Sequence, residues 1–211
     1  MSASLVKPRL RGADPYRAPQ RDEPDELMLD LNEGSPLASD DWMAGVAGAV
    51  GSDRARRYPD PSALEAKLAD RFGIDRECVL ATNGGDDAID RVCRVCMDPG
   101  DSIVLPSPTF EMIARSADLV GGEIRRPPWM GGPFPVEQVI DSCDESTRCV
   151  AVVSPNNPTG AVIRPDELAR LSEAIPRILL MVDLAYTEFA GFDLTQTALD
   201  LPNAVMVRTF S

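Results

Sequence analysis

Apolar runs that end in polar turns alternate along this chain with segments of helical spacing. Residues 150–153 and 178–182 are two of these runs, and residues 165–175 between them have the apolar periodicity of a helix. A strand, a helix and a second strand in this order predict a parallel crossover unit. Ligands of such sheets bind beyond the carboxyl ends of the strands, so the polar residues that follow each run are candidate site residues.

The same alternation continues through most of the chain. Further strands are predicted at residues 78–82, 102–105, 123–126 and 204–207. Helices are predicted at residues 40–50, 63–72, 87–97, 111–120 and 136–142. The second of these helices is expected to begin with a capping box of Ser62 and Glu65 and to end at Gly73. The sequence therefore predicts a three-layer α/β fold with a mostly parallel sheet.

The beginning of the chain differs in composition from the rest. The first 26 residues contain four prolines among arginine and aspartate residues, which predicts an extended arm without a core. We therefore expect an N-terminal arm over residues 1–35 and one large domain over residues 36–211. The chain has 211 residues, 44% of them hydrophobic, which is enough for one sizeable core.

Charge and cysteine content narrow the function classes. The net charge of -13 argues against nucleic acid and anionic membranes as partners. No apolar run is long enough to span a bilayer, and the first residues lack the apolar core of a signal peptide. Five irregularly spaced cysteines favour reduced thiols and a cytoplasmic location. Cys93 and Cys96 form a C-x-x-C within a helical run, which favours core packing, and we predict no metal site.

Three polar residues follow the two strands of the crossover unit. Asn157 lies in the turn after the first strand, whereas Asp183 and Tyr186 lie at the end of the second. A carboxylate at the end of a buried strand needs a partner. A cationic ring nitrogen would satisfy Asp183, and so would an arginine or a helix cap.

Two other turns carry candidate ligand contacts. Gly84, Gly85 and Asp86 lie between a predicted strand and a helix, where backbone N–H groups and the helix dipole favour an anion such as phosphate. The alternative is an ordinary tight turn in which Asp86 caps the helix. Phe110 follows a proline-rich turn and could stack on a flat ring, or it could be a core phenylalanine.

Taken together, these motifs resemble those of the fold-type-I pyridoxal phosphate (PLP)-dependent aminotransferases. Within them, the chain is most similar to the histidinol-phosphate aminotransferase branch. The matching segments are residues 31–34, 57–60, 83–87, 108–110, 154–160, 183–186 and 208–211. The Asn-Asn-Pro-Thr-Gly segment followed by Asp-x-x-Tyr is the most specific part of this resemblance.

The resemblance implies roles for the matching residues. Asp183 would pair with the pyridinium nitrogen of PLP and keep it protonated, which makes the ring an electron sink. The other implied cofactor contacts are Asn157 and Tyr186 at the 3-oxygen of the ring, Phe110 on its face, Gly85, Asp86 and Ser211 at the phosphate, and Tyr58 from the neighbouring subunit of a homodimer. Asn32 lies in a segment that would help to bind the substrate.

One feature departs from the family pattern. The lysine that forms the Schiff base with PLP follows the serine of the last motif, and this sequence ends at Ser211. Its two lysines, Lys7 and Lys67, match no such position. We therefore expect the lysine immediately after Ser211, and the smaller C-terminal domain beyond it, outside the 211 residues.

The function that the resemblance implies is transamination. Histidinol phosphate, or a similar amine, would be the amino substrate and 2-oxoglutarate the acceptor, with a place in histidine biosynthesis. Alternatives that share these motifs are an L-threonine-phosphate decarboxylase and a non-catalytic PLP-fold fragment. A nucleotide-binding α/β domain that uses Gly84 and Gly85 lacks support, because the G-x-G-x-x-G and Walker A patterns are missing.

Overall fold

The computed structural model describes Leu10, Asn32, residues 40–50 and residues 56–210, with the side chains of residues 40–42 left out. The chain separates into two compact units, Met1–Val79 and Leu80–Ser211. Nearly all of the predicted N-terminal arm lies outside the described residues, so the proposed boundary at residue 35 stays a prediction.

Among its described residues, the first unit has the helices α1 (Asp40–Ala49) and α2 (Ser62–Phe72) and a 3-10 turn at Arg76–Cys78. Helix α2 ends as predicted, because Gly73 takes a left-handed conformation (φ 68°) and donates its N–H to Ala69. The predicted strand at residues 78–82 is wrong. Val79 has extended backbone angles, but no residue of this segment joins a strand in the described structure.

The predicted capping box at the start of α2 is also wrong. The N-cap is Pro61 and no side chain caps the helix, so Ser62 is its first residue, and the N–H of Ser62 donates to Oδ1 of Asp60 at 3.0 Å. Glu65 is buried and forms an ion pair with Arg76 at 2.8 Å. A buried carboxylate gains more from a guanidinium than from one more backbone N–H, so the long-range partner prevails.

The second unit is built on one sheet with three longer helices and two short helices. Its strands are β1 (Ser102–Val104), β2 (Glu123–Arg125), β3 (Thr147–Val153), β4 (Leu179–Asp183) and β5 (Ala204–Val207). Its helices are α3 (Gly84–Cys96), α4 (Glu111–Val120), α5 (Val136–Asp141), α6 (Pro165–Ala174) and α7 (Thr195–Leu199). The strand order is β2-β1-β3-β4-β5, and every pairing in it is parallel.

Two apolar layers cover this sheet, one on each face. Alternate residues of the strands point to opposite faces, so each strand contributes to both layers. Val150 and Val152 of β3 pack with α5, α6 and α7, whereas Ala151 and Val153 pack with α3 and α4. We call these the α5–α6 face and the α3–α4 face. The predicted three-layer fold with a parallel sheet is confirmed, since both faces of the strands are buried beneath helices.

The predicted helices and strands of this unit agree with the observed ones within a few residues. Two short elements were not predicted, the 3-10 turn at Thr187–Phe189 and helix α7. An element of three to five residues is too short to show a periodicity, which explains why the pattern missed them.

The cysteine pair of α3 belongs largely to the core. Cys93 is fully buried on the α3–α4 face and Cys96 packs against the same cluster, which confirms core packing for the C-x-x-C. Burial raises the pKa of Cys93 to about 12, so its thiol stays protonated and unreactive at neutral pH.

Candidate functional site

The strand order locates the crevice of the sheet. After β1 the chain turns to one side to form β2, and then crosses back to form β3 on the other side of β1. In open parallel sheets, ligands bind beyond the carboxyl ends of the strands at this point of reversal. The turns that follow β1 and β3 therefore flank the candidate site.

Three strand ends lie side by side at this edge. In the sheet register, Asp183 of β4 lies between Val153 of β3 and Val207 of β5. The N–H of Ser154 donates to the backbone carbonyl of Asp183 at 2.9 Å, so the turn after β3 starts level with the end of β4. Asp183 follows Met181 by two residues and thus shares its side of the sheet, the α3–α4 face.

The carboxyl group of Asp183 is nearly buried, with 4% of the residue exposed. Burial raises the pKa of Asp183 to about 6, and the negative charge of Asp86 acts in the same direction. The N–H of Ala185 donates to Oδ1 at 3.0 Å and opposes this rise. Oδ2 accepts no such hydrogen bond. In the described residues, every fully buried polar side-chain atom has a hydrogen-bond partner, so Oδ2 is not fully buried and remains accessible.

The N-terminus of α3 lies over the end of the neighbouring strand. A Cβ atom added at Gly85 would lie 3.9 Å from Cγ1 of Val207, next to Asp183 in the register. Gly84 has a left-handed backbone (φ 79°) that glycine adopts without strain. The alternative in which Asp86 caps this helix is wrong, because Asp87 accepts the N–H of Asn83 at 2.9 Å. Asp86 is exposed at the helix start.

The two turns beside the crevice are joined by one side chain that the sequence did not single out. Asn156 is 2% exposed. Its Oδ1 accepts the hydroxyl of Thr109 at 2.6 Å, and its Nδ2 donates to the carbonyl of Pro108 at 2.9 Å. The available signal was a polar residue directly after a buried strand. Of the pair Asn156 and Asn157, the sequence interpretation used only the second.

The predicted ring contacts lie on these turns. Phe110 precedes α4 and is half-buried, with part of its ring packed against the α3–α4 face. Asn157 is half-buried beside Asn156. Tyr186 is half-buried three residues after Asp183, at the start of a 3-10 turn. The core and ligand interpretations of Phe110 are thus compatible, because a ring has two faces.

Arg208 ties the segment after β4 to the end of β5. Its guanidinium donates to the hydroxyl of Thr195 at 2.7 Å and forms an ion pair with Glu188. It also lies 4.0 Å from the carboxylate of Asp193. Arg208 belongs to a motif on which the resemblance depends, and its observed contacts hold the chain that follows Tyr186.

Three predicted site residues do not belong to the described part of the second unit. Asn32 and Tyr58 belong to the first unit, where Asn32 is exposed with a left-handed backbone (φ 56°) and Tyr58 is 100% exposed. Ser211 lies outside the described residues. The structure therefore brings together Gly85, Asp86 and Asp183 around β4 and β5, and Phe110 and Asn157 on the turns beside β1 and β3.

Other parts of the described chain are weaker candidates for a ligand site. A surface pocket of about 320 Å³ lies between the start of α5 and α6, and both of its arginines, Arg164 and Arg170, are paired with acidic residues. Over the described ranges, no cluster of three metal-ligating side chains occurs. No helix found there is both long and apolar enough to cross a membrane.

Known aminotransferases are similar to this chain in sequence. The sequence profile of aminotransferase class I and II matches residues 26–211. The histidinol-phosphate aminotransferase of Geobacillus thermodenitrificans is 33% identical, over 98% of this chain and 60% of its own length. That of Methanopyrus kandleri is 34% identical, over 90% of this chain and 52% of its own length. The chain thus spans little more than half of these relatives.

Solved structures show the same fold. The histidinol-phosphate aminotransferase of Sinorhizobium meliloti, solved in complex with pyridoxal-5'-phosphate, has a TM-score of 0.73 at 22% identity, over 82% of this chain and 48% of that one. A tetra mutant of Thermus thermophilus aspartate aminotransferase has a TM-score of 0.75 at 22% identity, over 96% of this chain and 57% of that one. With its parallel sheet, its strand-end aspartate and a profile match over most of its length, this chain belongs to the aminotransferase class I and II family.

Proposed function

We propose that this chain forms the PLP-binding part of an aminotransferase that acts on histidinol phosphate or a similar amine, with 2-oxoglutarate as amino acceptor. The observation that carries the proposal is Asp183, a nearly buried carboxylate with an accessible oxygen at the crevice edge of the sheet. The family match and the PLP-containing neighbour from Sinorhizobium meliloti support PLP as the cofactor.

The described residues fit this cofactor in two respects. Burial that raises the pKa of Asp183 to about 6 makes its ionised form costly, and a cationic ring nitrogen would offset that cost. The thirteen-residue helix α3 begins at two glycines, and its N-terminal N–H groups suit a phosphate. These two features lie on the same face of the sheet, as a molecule with a pyridine ring and a phosphate requires.

Asp183 would keep the ring nitrogen protonated. A unit charge pair at about 4 Å is worth about 4 kcal/mol at an effective dielectric of about 20. When bound, PLP would supply an electron sink for the substrate carbon that loses its proton. Because Asp183 ends a central strand and Ala185 holds one of its oxygens, its carboxylate needs little reorganisation to take up this role.

The phosphate would be held at the start of α3. The backbone N–H groups of Gly85 and Asp86 would donate to its oxygens, and the hydroxyl of Ser211 would add a further donor. The side chain of Asp86 is exposed, so its charge can remain in solvent while its N–H takes part. Gly85 has no side chain, and the space that a Cβ atom would occupy there has only Val207 within 4 Å. An anion can therefore approach the backbone closely at this position.

The remaining ring contacts would come from three elements. Phe110 would stack on one face of the ring with the part of its side chain that the core leaves uncovered. Asn157 and Tyr186 would hydrogen-bond the 3-oxygen of the ring. Both residues are half-buried on the segments that follow β3 and β4, next to the crevice edge.

Proton transfer needs a base, and residues 80–210 contain no lysine that could serve as one. We propose that a lysine directly after Ser211 carries the cofactor and moves the proton between the substrate carbon and the cofactor. Tyr58 and Asn32 would serve the active site of a homodimer, with Tyr58 donating to the phosphate in the neighbouring subunit. The complete exposure of the Tyr58 side chain leaves its hydroxyl available for such a contact.

The experiment that tests this proposal is the intact mass of the protein from its source before and after borohydride reduction. We expect reduction to fix one PLP adduct on the lysine that follows Ser211, mapped by peptide sequencing. The absence of any PLP adduct would refute the cofactor proposal.

A panel of amino donors then tests the substrate. We expect turnover with histidinol phosphate and 2-oxoglutarate, which the names of the relatives support. Loss of carbon dioxide from threonine phosphate, without amino transfer, would instead identify a decarboxylase.

A further inference from the structure

Asn156 uses its whole side-chain amide inside the protein. Besides its bonds to Thr109 and Pro108, its Nδ2 donates to the hydroxyl of Thr159 at 2.8 Å. Both amide hydrogens and the carbonyl oxygen are therefore engaged, in a residue that is 2% exposed. Its backbone is engaged as well, since its N–H donates to Ala161 at 2.8 Å and its carbonyl accepts from Gly160 at 2.7 Å.

These bonds join the two turns on either side of the crevice. Pro108 and Thr109 belong to the turn after β1, and Asn156 and Thr159 belong to the turn after β3. The hydrogen bond between Thr109 and Asn156 joins the immediate neighbours of two proposed ring contacts, because Thr109 precedes Phe110 and Asn156 precedes Asn157. The distance between Phe110 and Asn157 thus depends on a bridge of two hydrogen bonds through one amide.

We propose that Asn156 is a positioning residue for the cofactor ring, which sets the separation of Phe110 and Asn157 without touching the ring itself. This inference rests on the proposed function. A ring held between a stacking phenylalanine and a hydrogen-bonding amide requires both at fixed distances, and turns are the most mobile elements of a fold. A buried bridge with short bonds supplies that constraint before the ring arrives, which lowers the entropic cost of binding.

The chain contains a matched control at the opposite end of the sheet. Asn203, just before β5, donates its Nδ2 to the carbonyls of Ile175 and Ile178 at 3.0 and 2.9 Å and accepts the hydroxyl of Ser172 at 2.5 Å. Its amide makes the same number of hydrogen bonds as that of Asn156. Asn203 precedes the amino end of β5, whereas Asn156 follows the carboxyl end of β3, so only Asn156 lies beside the crevice.

The test compares Asn156→Ala and Asn203→Ala in the complete protein. Each variant is measured for its thermal midpoint without cofactor, its dissociation constant for PLP, and the circular dichroism of the bound PLP absorption band. We expect both variants to lose thermal stability. Only Asn156→Ala is expected to weaken PLP binding, by about tenfold, and to reduce the dichroism of the bound band, which reports ring orientation.

A milder pair of variants avoids the risk that Asn156→Ala fails to fold. Thr109→Val removes only the hydroxyl that donates to Asn156, whereas Thr109→Ser keeps it. We expect Thr109→Val to reduce the dichroism of bound PLP and Thr109→Ser to restore it. Dichroism and affinity that stay at the wild-type level in Asn156→Ala and Thr109→Val, or that fall equally in Asn203→Ala, would overturn the inference. A wild-type protein that binds no PLP would instead refute the proposed function.

Discussion

Replacement of Asp183 by asparagine should make the cofactor-free protein more stable and should reduce the additional stability that PLP confers when it binds. The substitution keeps the shape of the side chain and an oxygen that can accept the N–H of Ala185, and it removes only the charge. The carboxylate is nearly buried, so its ionised form is held in the folded protein at a cost in free energy. Asparagine carries no such cost.

The size of the effect follows from the pKa of Asp183. Its pKa rises from the ordinary value of 3.8 to about 6 on folding, and each tenfold change in an acid constant corresponds to about 1.36 kcal/mol. As the pH rises from 3.8 to 6, the unfolded chain releases this proton before the folded protein does, so stability falls. Above pH 6 the accumulated loss is about 3 kcal/mol in the wild type, whereas Asp183→Asn avoids it.

The assay is urea unfolding of both cofactor-free proteins at pH 4 and pH 8. All other titrating groups are common to the two proteins, so the difference between them isolates Asp183. We expect the stability of the variant relative to the wild type to rise by about 2–3 kcal/mol between pH 4 and pH 8. Saturation with PLP at pH 8, at about 100 times the dissociation constant, should then stabilise the wild type by about 2.7 kcal/mol and the variant by much less.

Two results would refute this reasoning. If the two cofactor-free proteins show the same dependence on pH between 4 and 8, the carboxylate of Asp183 has an ordinary pKa and its burial carries no cost. If PLP stabilises both proteins equally, Asp183 does not pair with the ring. The two results address separate statements, the first about the folded protein and the second about its function.

Three further predictions test other parts of the site. Asp86→Asn should lower the pKa of Asp183, because it removes a neighbouring negative charge. The fall in stability between pH 4 and pH 8 should therefore occur at lower pH, and an unchanged pH profile of stability would contradict this. Gly84→Ala should destabilise the fold by about 1 kcal/mol and also weaken PLP binding in a titration. The matched variant Gly132→Ala, with a similar backbone (φ 72°), should lose stability alone, and equal PLP affinity in both would argue against phosphate at α3. Tyr58→Phe should raise the dissociation constant for PLP about tenfold with no change in cofactor-free stability, because Tyr58 is exposed; wild-type affinity would exclude its contact with the phosphate.

Much of the candidate site was predictable because its signals are local. Asp183 follows a run of apolar residues, and a run of this kind in a crossover unit can only be a buried strand with its carboxyl end at the crevice. Gly84 and Gly85 lie at the start of a helix, which predicts an anion site from the chemistry of a helix start alone. In both cases the prediction depends only on the position of the residue within its own element.

The residues that were missed depend on partners far away in the sequence. Asn156 and Thr109 are separated by 47 positions, and no periodicity announces their hydrogen bond. Glu65 was assigned to a capping box on local spacing, but Arg76 is its partner in the folded unit. The segment at residues 78–82 has the composition of a strand without a neighbouring strand to pair with, and pairing is what makes a strand.

The sequence by itself determined most of the helices and strands of the second unit, that the sheet is parallel, and which polar residues end its strands, because periodicity and turn chemistry are local properties of a chain. Tertiary structure alone decided the order of the strands, the burial that raises the pKa of Asp183, and the bridge that Asn156 builds across the crevice. These features arise from contacts between distant residues, and their energies depend on desolvation and distance, which exist only once the chain has folded.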